Sequence, residues 1–299
     1  VNANSYWNGL YFDMCNFIVN GNRIRQRTNS ISSPYFVNAY YAGVYNASGR
    51  SLFSNNEIIG NSNDYSDGMN FYDNAVDIYN NSMLFSGTGN TNCIYISGTN
   101  VTDCKNNIFM NLSPNGYSVY VGSTVSYTGD YNNYYSPNYI GYYNGSQSSM
   151  SAWATASSND AHSVSLIPIF LGDSTQSLKL FDYTGISCPV LSNVGKDIEG
   201  IVRAGQTGMG AYTFYPTKLN AACIGAANWN TSIVLGQQAA VNAVVVNMGT
   251  DSLVSMVLNW SVNGVKQTAY NWAGLLRTYD QDTAFLGNVS PVSGVNIIK

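Results

Sequence analysis

Charge is scarce in this sequence. Acidic and basic residues make up 9% of its 299 positions, against roughly a quarter in an average soluble domain. With 12 Lys+Arg, 16 Asp+Glu and a formal net charge of −4, the chain has no basic field to neutralise phosphates. Nucleic acid and anionic membranes are therefore excluded as partners. Long apolar runs are missing too. Ala239–Val246 is short and interrupted by Asn242, well below the roughly 18 residues of a bilayer-crossing helix, so no membrane insertion is expected. The five cysteines (Cys15, Cys93, Cys104, Cys188 and Cys223) include no C-x-x-C pair. That argues against zinc and gives no disulfide framework, while an odd count leaves at least one thiol unpaired within the chain. No basic segment followed by an apolar one opens the chain. It starts on Val-Asn-Ala-Asn-Ser as if inside a repeat already under way, and it reads as a fragment.

What is abundant is uncharged. There are 24 tyrosines and 28 glycines, asparagine is frequent, and 45% of residues are hydrophobic, ample for a sizeable core. The phrase Asn-Asn-x-apolar recurs as Asn55-Asn56-Glu57-Ile58, Asn80-Asn81-Ser82-Met83, Asn106-Asn107-Ile108-Phe109 and Asn132-Asn133-Tyr134-Tyr135. Its second asparagines are 25, 26 and 26 residues apart, and a weaker copy, Gly21-Asn22-Arg23-Ile24, lies 34 residues earlier, the excess being assigned to an insertion around Thr28–Tyr40. A fixed period in the twenties is a solenoid signal, each repeat completing its core by stacking on its neighbours. Asn22, Asn56, Asn81, Asn107 and Asn133 are expected to form a stacked structural ladder that passes amide hydrogen bonds from coil to coil.

A second phrase precedes each asparagine: Gly9-Leu10-Tyr11-Phe12, Gly43-Val44-Tyr45, Gly68-Met69-Asn70-Phe71, Cys93-Ile94-Tyr95-Ile96 and Ser118-Val119-Tyr120-Val121. Its alternation is that of a strand. Leu10, Val44, Met69, Ile94 and Val119 should face inward, and Tyr11, Tyr45, Asn70, Tyr95 and Tyr120 outward in one row. Two readings of that row stand side by side. It is either cross-strand packing by a residue that favours strands, or a platform for sugar rings, with a phenol offering an apolar face and a hydroxyl at each step. The repeat, over about residues 8–140, resembles the right-handed parallel β-helix (pectate-lyase-like) family.

Downstream, Asp160-Ala-His-Ser163 with Pro168-Ile-Phe170, then Asp197-Ile-Glu-Gly200 with Arg203 and Gly210-Ala-Tyr212, are similar to the closing segment of secreted bacterial β-helix proteins. That resemblance implies a final partial coil and a cap. From about Leu219 the texture changes to alternating strands: Ser232–Leu235, Val241–Val246, and Leu253–Val262 followed by the hairpin signal Asn263-Gly264. Together with Asn247-Met-Gly249-Thr250, Trp260 and Trp272-Ala-Gly-Leu275, they resemble Ig-like cell-adhesion-related (CARDB-type) domains. Such a sandwich takes about 100 residues, more than remain before Lys299, so its last strands are expected to be missing. The expected fold is all-β: a right-handed parallel β-helix solenoid with closing segment over 1–217, then an incomplete antiparallel Ig-like β-sandwich over 218–299.

Candidate chemistry is sparse. His162 is the single histidine, and with Asp160 and Ser163 on the same local segment it suits a structural turn better than a triad. Asp77 and Asp103 each precede their coil's key asparagine by four residues, so they should stack. Outward-facing carboxylates about 5 Å apart would suit a retaining glycosidase, while Lys105 on the same face offers a plain surface charge cluster instead. Asn63-Asp64-Tyr-Ser-Asp67-Gly68 is an acidic loop that could take Ca2+, although it lacks EF-hand order; no other metal or cofactor is expected. Arg23, Arg25 and Arg27 cluster in the long first turn, away from the Asp pair, and Gly205–Gly210 lacks the Lys-Ser/Thr of a phosphate loop. The polygalacturonase signatures Asn-Thr-Asp, Gly-His-Gly and Arg-Ile-Lys do not occur.

The expectation is a non-catalytic protein that binds polysaccharide or a cell-surface glycan through the β-helix face. The resemblance implies export to a bacterial cell surface or the extracellular space. The alternatives are a polysaccharide lyase or glycoside hydrolase using Asp77 and Asp103, and a filament-forming protein whose partners are copies of itself.

Overall fold

The computed structural model describes residues 7–26, 34–41, 49–99, 101–170, 177–180, 185–213, 219–227, 234–249, 251–278 and 280–299. The chain divides into two compact units, Val1–Phe214 and Tyr215–Lys299.

The first unit is a parallel β-solenoid with three sheets. The first sheet stacks Trp7–Asp13, Pro34–Tyr40, Ser66–Tyr72, Thr91–Ser97, Tyr117–Val121 and Tyr139–Tyr142 in parallel, and Ser146–Gln147 joins antiparallel. The second stacks Ile18–Asn20, Ser51–Ser54, Ala75–Tyr79, Val101–Lys105 and Ser126–Asp130. The third stacks Arg23–Arg25, Glu57–Asn61, Ser82–Ser86, Ile108–Asn111 and Asn133–Tyr135. Strand alternation sends one row from each sheet inward. The first sheet aligns Leu10, Val37, Met69, Ile94 and Val119, the second Phe53, Ile78 and Cys104, and the third Ile58, Met83, Phe109 and Tyr134. All but Leu10 are fully buried. The second-coil member is Val37, not Val44. Pro34–Tyr40 is therefore a strand of the first sheet and not an insertion, because Phe36, Val37 and Ala39 all reach the core. Val44 and Tyr45 lie outside the described residues.

The asparagine row runs through the turn between the second and third sheets. The backbone N–H and Nδ2 of Asn22 both donate to Asn56 Oδ1, those of Asn56 to Asn81 Oδ1, those of Asn81 to Asn107 Oδ1, and those of Asn107 to Asn132 Oδ1, all at 2.8–3.0 Å. Each amide from Asn56 onward also donates to a carbonyl of the previous coil, Val19, Phe53, Ile78 or Cys104. The last member is Asn132, a correction to the expected Asn133. Asn133 pairs in register with Ile108, and its amide instead holds the backbone of Leu166. The one-residue shift arises at the residue before the ladder. Asn55, Asn80 and Asn106 adopt positive φ there, and in the last coil Tyr131 takes that left-handed position. The double asparagine thus has two roles: the first makes the turn, the second the ladder.

The ladder ends on Asp160, whose Oδ1 accepts from Asn132 Nδ2 and Ser163 Oγ, while Oδ2 accepts from Tyr127 Oη and Trp153 Nε1. Trp153, on the helix Met150–Ser157, is fully buried against the last coil. It needs Gly141, since a Cβ there would sit 2.6 Å from the ring. Val164 then adds a parallel bridge beside Asn133. The described residues of the rest of the closing segment run lengthwise over the third-sheet side as a clasp. Arg203 Nη2 donates to Asn55 Oδ1 and Gly210 O, Gly210 N–H to Asn106 O, Ala211 N–H to Ser82 Oγ, and Tyr212 Oη to Glu57 Oε2. Asp197 accepts from the N–H groups of Glu199, Ile201 and Thr213. The Asp-Ile-x-Gly-x-x-Arg and Gly-Ala-Tyr phrases are thereby explained as fastening.

The second unit is antiparallel. Ala239–Asn247 lies between Ala221–Ala227 and Gln281–Val289, and Leu253–Leu258 pairs with Tyr270–Leu276. Val245, Leu253, Trp272, Leu276 and Ala284 form its core. Asn263-Gly264 makes the expected tight turn, both residues at positive φ. Val234 and Leu235 are exposed and outside any strand, unlike the expected strand Ser232–Leu235, the rest of which lies outside the described residues.

Replacing Asn81 by alanine removes two donor and two acceptor bonds and leaves buried backbone groups unpaired, each costing about 1–3 kcal/mol. Asn81→Ala should destabilise the solenoid by about 3–5 kcal/mol, read from urea midpoints. Asn22→Ala, at the exposed start of the ladder, should cost under about 1 kcal/mol.

Candidate functional site

The outer face of the first sheet is the least ordinary surface of the solenoid. Its middle row, set by strand register, reads Tyr11, Asn38, Asn70, Tyr95, Tyr120 and Tyr142. Asn38 stands where Tyr45 was expected, and Tyr142 extends the row. The rings of Tyr95 and Tyr120, and of Tyr120 and Tyr142, stack at 4.5 Å with interplanar angles of 16° and 3°. Tyr117 meets Tyr120 and Tyr142 edge-on. In this stack both faces of Tyr120 are covered by neighbouring rings, so that residue presents its edge and hydroxyl. Burial, followed by its neighbouring tyrosines, raises the Tyr120 phenol above its ordinary value. The broad ring surface left to solvent belongs to Tyr11 at the start of the row (55% exposed) and to the flanking tyrosines Tyr139 (45%), Tyr65 (43%) and Tyr72 (38%).

Beneath these rings lies a polar layer. Asn70 Nδ2 donates to Asn38 Oδ1, and Asn38 Nδ2 to Asn8 Oδ1, a short second amide chain. Asp67, 2% exposed, accepts from Asn92 Nδ2 at 2.7 Å and Tyr65 Oη at 3.1 Å. Burial pushes its carboxyl up to about 6, against the smaller opposing pull of the Asn92 and Tyr65 hydrogen bonds. Tyr65 is in turn raised, by burial first and then by the charge on Asp67.

The carboxylate pair lies on the second sheet. Asp77 and Asp103 are register neighbours, as expected, but each has its own cation. Arg50 Nε lies 2.6 Å from Asp77 Oδ1, and Lys105 Nζ 2.9 Å from Asp103 Oδ2. Asp103 also accepts from Tyr79 Oη and Thr128 Oγ1. Two carboxylates neutralised this way form a charged surface stripe, which accounts for their spacing without chemistry. His162 continues the stripe: its Nδ1 and N–H contact Asp130, and its ring stacks on Tyr131 at 4.7 Å. Asp130 feels burial raising its pKa, but the His162 and Tyr131 hydrogen bonds outweigh it and hold it below the usual value. His162 thus faces Asp130, while Asp160 and Ser163 cap the ladder, so the three do not converge.

The acidic loop disperses its oxygens. Asn63 Oδ1 accepts from Thr88, Asp64 Oδ1 from Tyr65 N–H, and Asp67 from Asn92 and Tyr65. Among the described residues no three His, Cys, Asp or Glu side chains gather as metal ligands. Arg23 and Arg25 turn to the clasp, toward Tyr212 and Glu57, and Arg27 lies outside the described residues. Thr207 and Gly208 of the glycine-rich segment receive Arg203 Nη1. No helix among the described residues is long and apolar enough to cross a membrane.

No family model, curated protein or solved structure matches the chain. The site therefore rests on its geometry.

Sequence reasoning missed Tyr142, because its coil is shorter and Gly141 replaces the aliphatic inward residue. The one sequence signal for Asp67 as a buried group is the 25-residue period that pairs it with Asn92.

A carboxyl raised above its unfolded value of 3.8 to about 6 binds a proton on folding. Its contribution is fully present below about pH 3.8 and is lost as pH rises through about 6. Asp67→Asn abolishes that loss. Between pH 4 and pH 7 the variant should therefore gain on the order of 2–3 kcal/mol relative to the parent, read from urea midpoints at the two pH values.

Proposed function

We propose that this chain is a non-catalytic binding or adhesion protein that holds polysaccharide or a cell-surface glycan on the tyrosine face of its first sheet. The supporting observation is the separation of the solenoid's faces. The ion pairs Arg50–Asp77, Lys105–Asp103 and His162–Asp130 lie along the second sheet, and Arg25–Glu57 and Lys179–Glu199 along the clasped side. The first sheet instead carries Tyr11, Tyr65, Tyr72 and Tyr139 as exposed rings over an asparagine layer. Phenols pair an apolar face with a hydroxyl, the combination a sugar ring demands. Exposed rings spread along several coils of one face, from Tyr11 to Tyr139, suit a polymer.

Export to a bacterial cell surface or the extracellular space enters through the resemblance of the repeat and the closing phrases to secreted β-helix proteins. The antiparallel second unit serves in this proposal as an Ig-like spacer. Asp77 and Asp103, each held by a cation, lend no support to hydrolase or lyase chemistry.

Capture on a panel of insoluble glycans tests the proposal. The parent should be depleted from solution by at least one glycan without releasing reducing ends. Tyr11→Ser/Tyr65→Ser/Tyr72→Ser/Tyr139→Ser should bind at least tenfold more weakly, since each ring is worth about 0.5–1.5 kcal/mol. Equal depletion of parent and variant, or no capture on any glycan, would remove the tyrosine face from the account.

Self-association is a second reading, favoured by the aliphatic side chains that the second unit leaves exposed, among them Val254, Val257, Val265 and Leu275. Light scattering should then show mass rising with concentration. A constant monomer mass up to the millimolar range would oppose it.

A further inference from the structure

Among the described residues of the solenoid unit four acids are buried, and three are richly supported. Glu57 receives Arg25 Nη2, Tyr212 Oη and the Leu178 N–H. Asp160 receives four side-chain donors, and Asp197 three backbone N–H groups. Asp67 has two neutral donors, Asn92 Nδ2 and Tyr65 Oη. Asn92 is itself fixed, its Oδ1 accepting the Tyr117 N–H. The other donor, Tyr65, has a ring 43% exposed.

We infer that Asp67 is a positioning residue for Tyr65: its carboxylate, anchored from the neighbouring coil by Asn92, holds the phenol against the tyrosine face, and protonation of that carboxylate releases it. While ionised, both oxygens of Asp67 accept, which matches the two donors aimed at them. A proton on the Tyr65 side turns an acceptor into a donor. The phenol must then reverse its own O–H or leave, and a charge-assisted hydrogen bond becomes a neutral one of about half the strength. The groups bearing on Asp67 are Asn92 and Tyr65, neither of them charged, so no neighbouring cation keeps it ionised as pH falls. Those bearing on Tyr65 are Asp67, Tyr35 from the strand below and Tyr95 from the strand above. The titration therefore falls in a mildly acidic range, near the value of about 6 to which burial pushes Asp67.

The consequence for ligand binding rests on the proposed glycan-binding face, but the device itself does not, so the experiment separates them. In the full chain carrying labelled aspartate and tyrosine, NMR between pH 4.5 and 8 should show the Asp67 carboxyl titrating near 6. The Tyr65 ring signals should move with the same midpoint, and Tyr139, on the same face, should not follow. In Asp67→Asn the Tyr65 signals should stay constant over that range. In Tyr65→Phe, which keeps the ring but removes the donor, the Asp67 midpoint should rise. An Asp67 midpoint near 4, or Tyr65 signals that ignore the titration, would overturn the inference. Glycan capture over the same pH range is read separately. Capture should fall at least twofold below pH 6 in the parent and stay level in Asp67→Asn, while failure of all capture would sink the glycan reading alone.

Discussion

Along the ladder each interior asparagine sends its Nδ2 to the next asparagine and to a carbonyl of the previous coil, while its Oδ1 takes the N–H and Nδ2 of the asparagine before it. The rest of the solenoid depends on this exchange, because a turn buried between two sheets leaves backbone groups that water cannot reach. A charged side chain there would need a counter-ion at every coil, and an apolar one would leave the turn unsatisfied. A short neutral amide meets both demands and repeats at strand spacing. The chain of donors also has a direction. Every amide sends one hydrogen forward to the next member and the other back to a carbonyl of the preceding coil, so the forward hydrogen of the last member must be met by an acceptor. Asp160 is that acceptor, which is why a carboxylate is tolerated at the end of an otherwise uncharged row. Burial raises its pKa, and four hydrogen bonds oppose the rise without cancelling it.

Once the ladder sets the register, the three sheets diverge in character. The third is clasped by the returning segment, whose Arg203, Tyr212 and Gly210 reach Asn55, Glu57 and Asn106. The second gathers the ion pairs. The first is left open, roofed by tyrosines and underlaid with amides, and it is the face on which a buried acid sits without a cation. Stacking at 4.5 Å explains how the central tyrosines are accommodated, and it covers both ring faces of Tyr120. The most exposed rings are others, Tyr65 among them, whose hydroxyl donates to Asp67.

Much of the solenoid was legible in the chain because its period is enforced by one buried polar residue per coil. Where that residue changed neighbours, the period misled: Asn132 and Asn133 are equally plausible by spacing, and only the left-handed conformation of Tyr131 chooses between them. The same happened at Tyr45, where Gly43-Val44-Tyr45 repeats the local phrase at the right distance from Asn56, yet the stacked strand is Pro34–Tyr40, with three core side chains. Asp77 and Asp103 were correctly placed as neighbours, but their partners came partly from outside their own coils. Arg50 lies 27 residues from Asp77, two positions off the register that sets Leu52 beside Asp77, so the repeat alone does not pair them.

By itself the sequence determined the all-β class, the coil length, the inward aliphatic rows and the near absence of charge. Each of these follows from local alternation or from a repeat that every coil must obey. Only the tertiary structure decided which asparagine closes the ladder, which rings stack and which stay open, that the closing phrases fasten a flank, and that Asp67 is buried with two neutral donors. Apart from the Tyr65–Asp67 hydrogen bond between residues two positions apart, these depend on contacts between residues 22 to 155 positions apart, set by packing against whole neighbouring coils.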